Sequence, residues 1–173
     1  MIARYSLSLR VVHWLTALLI LAQVSLATLN ILLYEPRPIL AEWLVQAHIS
    51  LGAVILTLAV CRVALRLRSP VPARPSSRTL RIASNCVHIL LYVCLMILPV
   101  SGYLRLAALG FEIRLFGVLP LPALAPNIPL AKSASGFHDA AALVLGALLV
   151  MHITAAVFHK QLDGKAVLNH MAI

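Results

Sequence analysis

Charge is what this sequence has least of: 11% of its 173 residues are charged against 62% hydrophobic, and only five are Asp or Glu. So little polar material cannot cover a water-facing surface, which excludes an ordinary soluble domain. Cysteine is scarce as well. Cys61, Cys86 and Cys94 all lie in or beside apolar runs, so a disulfide framework is not expected, and none belongs to a Cys-x-x-Cys-His attachment pattern. Internal repeats are missing too. Carboxylates within the apolar runs are few, which argues against a histidine-lined proton or metal transporter.

What is present points to a membrane. The 14 Lys and Arg residues give a formal net charge of +9, which in a polar chain would suggest nucleic acid. In a chain this apolar, basic residues mark the ends of membrane helices instead, so lipid is an expected partner and nucleic acid is not.

Four apolar stretches are long enough to cross the hydrocarbon layer, which takes about 20 helical residues: roughly Leu9 to Leu33, Trp43 to Val63, Ile82 to Leu104 and Phe137 to Phe158. Each is expected to be helical, because lipid offers backbone groups no partner. Proline-bearing breaks at Tyr34 to Pro38 and Arg68 to Pro75 separate the first two pairs. Residues 105–136, with Pro120, Pro122, Pro126 and Pro129, are expected to form an interfacial segment rather than a fifth span. The fold class expected is an all-α, integral membrane four-helix bundle forming a single domain over residues 1–173. The first span carries His13 and Gln23 and lacks a small-residue cleavage site, so it is read as retained.

Orientation follows from the cations. Arg4, Arg10, Arg62, Arg66, Arg68, Arg74, Arg78, Arg81, Lys160 and Lys165 fall on one side, and Arg37, Arg105, Arg114 and Lys132 on the other, a split of ten to four. Both termini are therefore expected in the cytoplasm. Glu35, Glu42, Glu112 and Asp139 lie on the outer side and leave it roughly neutral.

Seven histidines remain to be explained. On the fourth span His138 and His152 are 14 residues apart, which at about 100° and 1.5 Å per residue returns to the same face roughly 21 Å further along. One helix thus offers imidazoles at two depths. His13 on the first span matches the depth of His152, and His48 on the second matches that of His138. Facing imidazoles from different helices suit the two axial positions of a haem iron, and a filled pair favours electron transfer over oxygen binding. Two other readings compete: interhelical hydrogen bonding, and a zinc or copper site. The first explains single histidines better than matched pairs, and the second needs three or four ligands at one depth.

Secondary contacts are expected from neighbours. His88 lies near the depth of the His13 and His152 pair, as a rival ligand or as a partner to a propionate or quinone. His159 continues the same stripe at the membrane surface, and His170 is expected to be solvated. Arg10, Arg62 and Arg66 are candidates for cytoplasmic propionates, and Lys132 for the outer site.

With those residues in place, the chain resembles the bacterial cytochrome b561 family from end to end. The motifs that carry the resemblance are Arg4-Tyr5-Ser6 before His13-Trp14, His48-x-Ser50-x-Gly52, Arg62-x-x-x-Arg66 ahead of Pro70-x-Pro72, His88-x-x-Leu91-Tyr92, Pro99-x-x-Gly102, and Phe137-His138 with His152 beyond. The resemblance implies a dihaem cytochrome of the bacterial inner membrane. It implies His13 and His152 as axial ligands of a cytoplasmic haem b, and His48 and His138 of a periplasmic one. It further implies ubiquinone as acceptor and, for one kind of member, superoxide as donor, making the chain a superoxide:quinone oxidoreductase with no assigned catalytic side chain. Arg105, Arg114 and Lys132 are then candidates for attracting the anion. The alternative is an anchor subunit that passes electrons to quinone from a periplasmic dehydrogenase, hydrogenase or other redox protein.

Overall fold

The computed structural model describes residues 5–69 and 78–162, the side chains of 159–162 excepted. Four helices dominate: α1 Leu7–Leu33, α2 Pro38–Arg68, α3 Arg78–Ala107 and α4 Ile128–Leu162. Local chemistry explains their starts. The Ser6 hydroxyl accepts from Leu9 N at 3.4 Å at the head of α1, Pro38 occupies the first turn of α2, and the Asn127 side chain accepts from Leu130 N at 3.0 Å at the head of α4.

All four carry windows of mean hydropathy between 2.0 and 2.3 and are long enough to cross a membrane. Their outer faces are apolar, with Leu18 at 63%, Leu21 at 67% and Leu143 at 78% exposed, as a lipid-facing surface requires. The chain is an all-α membrane four-helix bundle.

Two helices are longer inward than hydropathy alone suggests. The fourth begins at Ile128, not Phe137, so Lys132 to Gly136 belong to it rather than to the interfacial segment. Polar residues and Gly136 lower the hydropathy there without breaking the helix, and Pro129 is tolerated because a first-turn N–H has no intrahelical acceptor. The second begins at Pro38 for the same reason.

What remains between α3 and α4 folds into a small antiparallel hairpin, β1 Arg114–Leu115 and β2 Leu119–Pro120, in which Arg114 pairs with Pro120. Its tip turns through Phe116 (φ 54°) and Gly117 (φ 74°), left-handed backbone that glycine adopts freely and phenylalanine does not. The hairpin is pinned to α2. The Ser50 hydroxyl accepts from Phe116 N at 2.9 Å, and the Gln46 side chain donates to the Glu112 carbonyl at 3.3 Å. Tyr103 adds a hydroxyl bond to the Pro122 carbonyl at 2.8 Å.

Helix α1 packs along α2, α3 along α4, and α2 more loosely against α3. Midway along the bundle Ile20, Ile55, Ala59, Cys94, Leu95, Leu145 and Leu148 close into one apolar core with contributions from every helix. This plug divides the interior into two ends: a hairpin end, and a basic end that carries Arg62 and Arg66.

Candidate functional site

Each end of the bundle holds one pair of facing histidines. At the basic end the rings of His13 (α1) and His152 (α4) have centroids 6.3 Å apart at an interplanar angle of 76°. At the hairpin end His48 (α2) and His138 (α4) are likewise 6.3 Å apart, at 63°. Two imidazoles on opposite sides of one metal, with metal–nitrogen bonds of about 2.0 Å and ring centroids about 1.2 Å behind each nitrogen, have centroids about 6.4 Å apart. Both pairs have that spacing, and it exceeds any direct hydrogen bond between the rings. Among the described residues no group of three His, Cys, Asp or Glu side chains converges as a zinc or copper site would require.

Polar accounting at the hairpin end fits the binding of a polar or metal-bearing group. His48 Nδ1 and Gln23 Oε1 are both buried without a hydrogen-bond partner. An orphaned buried polar atom costs about 1–3 kcal/mol, so an apolar bundle that keeps one next to a facing histidine fits a bound group better than a packing role. Gln23 is otherwise fixed, since its amide nitrogen donates to the His48 carbonyl at 2.9 Å and ties α1 to α2 at that depth.

His138 is held differently. Its Nδ1–H lies 3.0 Å from the Leu98 carbonyl and 3.2 Å from the Ser101 hydroxyl, both on α3. The ring can lie this close because residue 102 is glycine: a Cβ there would stand 3.0 Å from His138 Cε1 and 3.2 Å from Nδ1. Sequence reasoning found Pro99-x-x-Gly102 but not this contact, since the acceptor is a main-chain carbonyl on another helix.

His88 stands beside the basic-end pair. Its ring is 5.2 Å from that of His152 at 89°, closer than two ligands of one iron, and its Nδ1–H donates to the Ser84 carbonyl at 2.6 Å. It flanks the facing pair from α3.

The surrounding cations sort by end. Arg62 lies over the Tyr92 ring at 5.6 Å and Arg66 over the Tyr5 ring at 5.1 Å, and one terminal nitrogen of Arg66 is buried without a hydrogen-bond partner. Arg10 is three residues before His13 on α1. At the hairpin end Arg105 pairs with Asp139 at 3.6 Å and Arg114 pairs with Glu112. Of the three cations expected to attract an anion there, two are therefore neutralised by neighbours, and exposed Lys132 on the second turn of α4 has no ion-pair partner among the described residues. The side chain of His159, along with His170, Arg4, Pro70, Pro72, Arg74 and Lys165, lies outside the described residues.

Comparison with known proteins places this architecture. The model of the prokaryotic cytochrome b561 family matches residues 4–172. The chain is similar to cytochrome b561 homolog 2 of Escherichia coli (strain K12), 32% identical over 177 aligned residues covering 97% of this chain and 90% of that one. It is similar also to the probable superoxide oxidase CybB of Yersinia pestis, 27% identical over 151 residues covering 86% and 84%, and to cytochrome b561 homolog 1 of the same Escherichia coli strain, 25% identical over 161 residues. With four membrane-crossing helices and a family match along nearly its whole length, the chain belongs to the prokaryotic cytochrome b561 family, bacterial membrane proteins that carry electrons on b-type haem.

Proposed function

We propose that this chain moves electrons across the bacterial inner membrane through two haems b, from superoxide at the periplasmic face to ubiquinone. The observation that carries the reading is the pair of 6.3 Å imidazole separations, one at each end of the bundle, with α4 contributing to both. His48 and His138 would hold a haem at the hairpin end, and His13 and His152 one at the basic end. The ten-to-four split of cations supports both termini in the cytoplasm and the hairpin in the periplasm.

A haem held there would supply a one-electron iron couple. The protein's own part is positional. Lys132, exposed at the hairpin end, attracts the superoxide anion, which gives up one electron and leaves as dioxygen. The apolar plug of Ile20, Ile55, Ala59, Cys94, Leu95, Leu145 and Leu148 keeps water out of the space between the two sites. Arg62 and Arg66, with Arg10, offer guanidinium groups to haem propionates at the basic end, and the buried unpartnered nitrogen of Arg66 is suited to such a carboxylate. Two electrons and two protons convert one ubiquinone to ubiquinol, so two superoxide anions are consumed per quinone.

The similarity to a probable superoxide oxidase supports the choice of donor. Purified protein should show b-type bands on dithionite reduction and two haems per chain by pyridine haemochrome. Rapid mixing with superoxide should reduce them and, with ubiquinone present, produce quinol. One haem per chain would remove the two-site reading. Two haems that superoxide does not reduce would instead leave an anchor subunit fed by a periplasmic redox protein.

A further inference from the structure

The two candidate haem sites are not equivalent, and the difference lies in what stands behind the histidines. Among the four imidazoles in the facing pairs, His138 is the one braced at its second nitrogen: its Nδ1–H lies 3.0 Å from the Leu98 carbonyl and 3.2 Å from Ser101 Oγ. Its counterpart His48 has Nδ1 buried and unpartnered. The seat on α3 is built for this. Ser101 is 6% exposed, and its own hydroxyl hydrogen is directed to the Ile97 carbonyl at 2.8 Å or the Leu98 carbonyl at 3.1 Å, leaving an oxygen lone pair facing the imidazole. Gly102 leaves the ring its space, since a methyl group there would come within 3.0 Å of Cε1.

We infer that the Leu98, Ser101 and Gly102 turn of α3 is a positioning device for His138, fixing its Nδ1–H tautomer and setting the potential of the hairpin-end haem below the value it would otherwise have. The inference rests on His138 being an axial ligand. A proton held on Nδ1 leaves Nε2 as the coordinating atom, and its bond to a carbonyl pushes electron density toward the ring. A more electron-rich ligand stabilises the ferric state over the ferrous. Ser101 and Gly102 touch neither iron nor substrate in this scheme and act only through His138.

The test is a spectroelectrochemical titration of detergent-purified holoprotein, with electron paramagnetic resonance of the low-spin ferric signals. His138→Ala first identifies which midpoint wave belongs to the hairpin end. If His138→Ala retains both haems, the ligand assignment itself fails and the inference falls with it. Otherwise Ser101→Ala, which removes one of the two acceptors, should retain two haems, raise that midpoint and shift that ferric signal, leaving the other haem unchanged. Gly102→Ala, which drives the ring off the carbonyl, should raise it further or release that haem alone. The inference is overturned if His138→Ala removes a haem while Ser101→Ala leaves its midpoint and signal unchanged, or if either variant moves both haems equally.

Discussion

Substitution of the histidines at the basic end separates ligand from neighbour. His13, His88 and His152 all lie at this end, and His88 is nearer to His152, at 5.2 Å, than His13 is, at 6.3 Å. Proximity alone would select a different pair from the one proposed. Two axial imidazoles need centroids about 6.4 Å apart, so on the proposed reading the longer distance belongs to the ligand pair and the shorter one to an edge-on contact. To replace His152, His88 would have to abandon its 2.6 Å bond to the Ser84 carbonyl, a net loss of about 0.5–1.5 kcal/mol, and bring its ring across from α3. His152→Ala and His13→Ala should each lower haem content from two per chain to one, halving the reduced-minus-oxidised absorbance. The surviving haem should keep the midpoint of the hairpin-end site, roughly 21 Å away along α4 and beyond the apolar plug. His88→Ala should retain two haems and alter only the basic-end spectrum. The assay is a pyridine haemochrome count per chain with a redox titration. A His88→Ala protein with one haem, or a His152→Ala protein with two, would refute the reasoning.

Lys132→Glu should slow reduction by superoxide several-fold at low ionic strength and much less at 0.5 M salt, about where the Debye length falls to a few ångström, as stopped-flow mixing would record. Equal slowing at all salt concentrations would rule out a steering role. Arg62→Gln should lower the midpoint of the basic-end haem by roughly tens of millivolts, because a nearby cation favours the less positive ferrous state, and leave the other midpoint in place. Ser50→Ala removes the acceptor for Phe116 N and should weaken the hairpin by about 1 kcal/mol, visible as faster amide exchange across residues 111–120 with haem content retained.

The spans and the histidine register were legible because both rest on strong, local, periodic signals. Lipid demands long apolar helices, and the spacing of His138 and His152 repeats a helical face whatever the neighbours are. The beginning of α4 was not, since Lys132, Ser133, Ser135 and Gly136 read as polar loop when hydropathy is the only guide, while the Asn127 cap and first-turn Pro129 are helix-starting features at its head. The hairpin left no alternating pattern, its strands being two residues each, and it depends on Ser50 and Gln46 from a distant helix. Counting charges treated Arg105 and Arg114 as free cations. The partner of the first, Asp139, is across on α4, and Glu112 sits only two residues from the second, a pairing that depends on the local turn. The seat of His138 was least accessible of all, because its principal acceptor is a backbone carbonyl and its enabling feature is a missing Cβ.

The division of labour among the helices bears on how such a protein is made. Helices α1 and α2 can enter the bilayer as one hairpin and α3 with α4 as a second, each packed along its own length before the two meet. Yet each facing pair draws one imidazole from α4, the last of the four to leave the ribosome, and the other from the first hairpin. Neither pair can exist on a half-translated chain. If each pair holds a haem, as proposed, loading at both ends must wait until α4 has been made, and a chain stalled before His138 would present His13 and His48 with nothing opposite them.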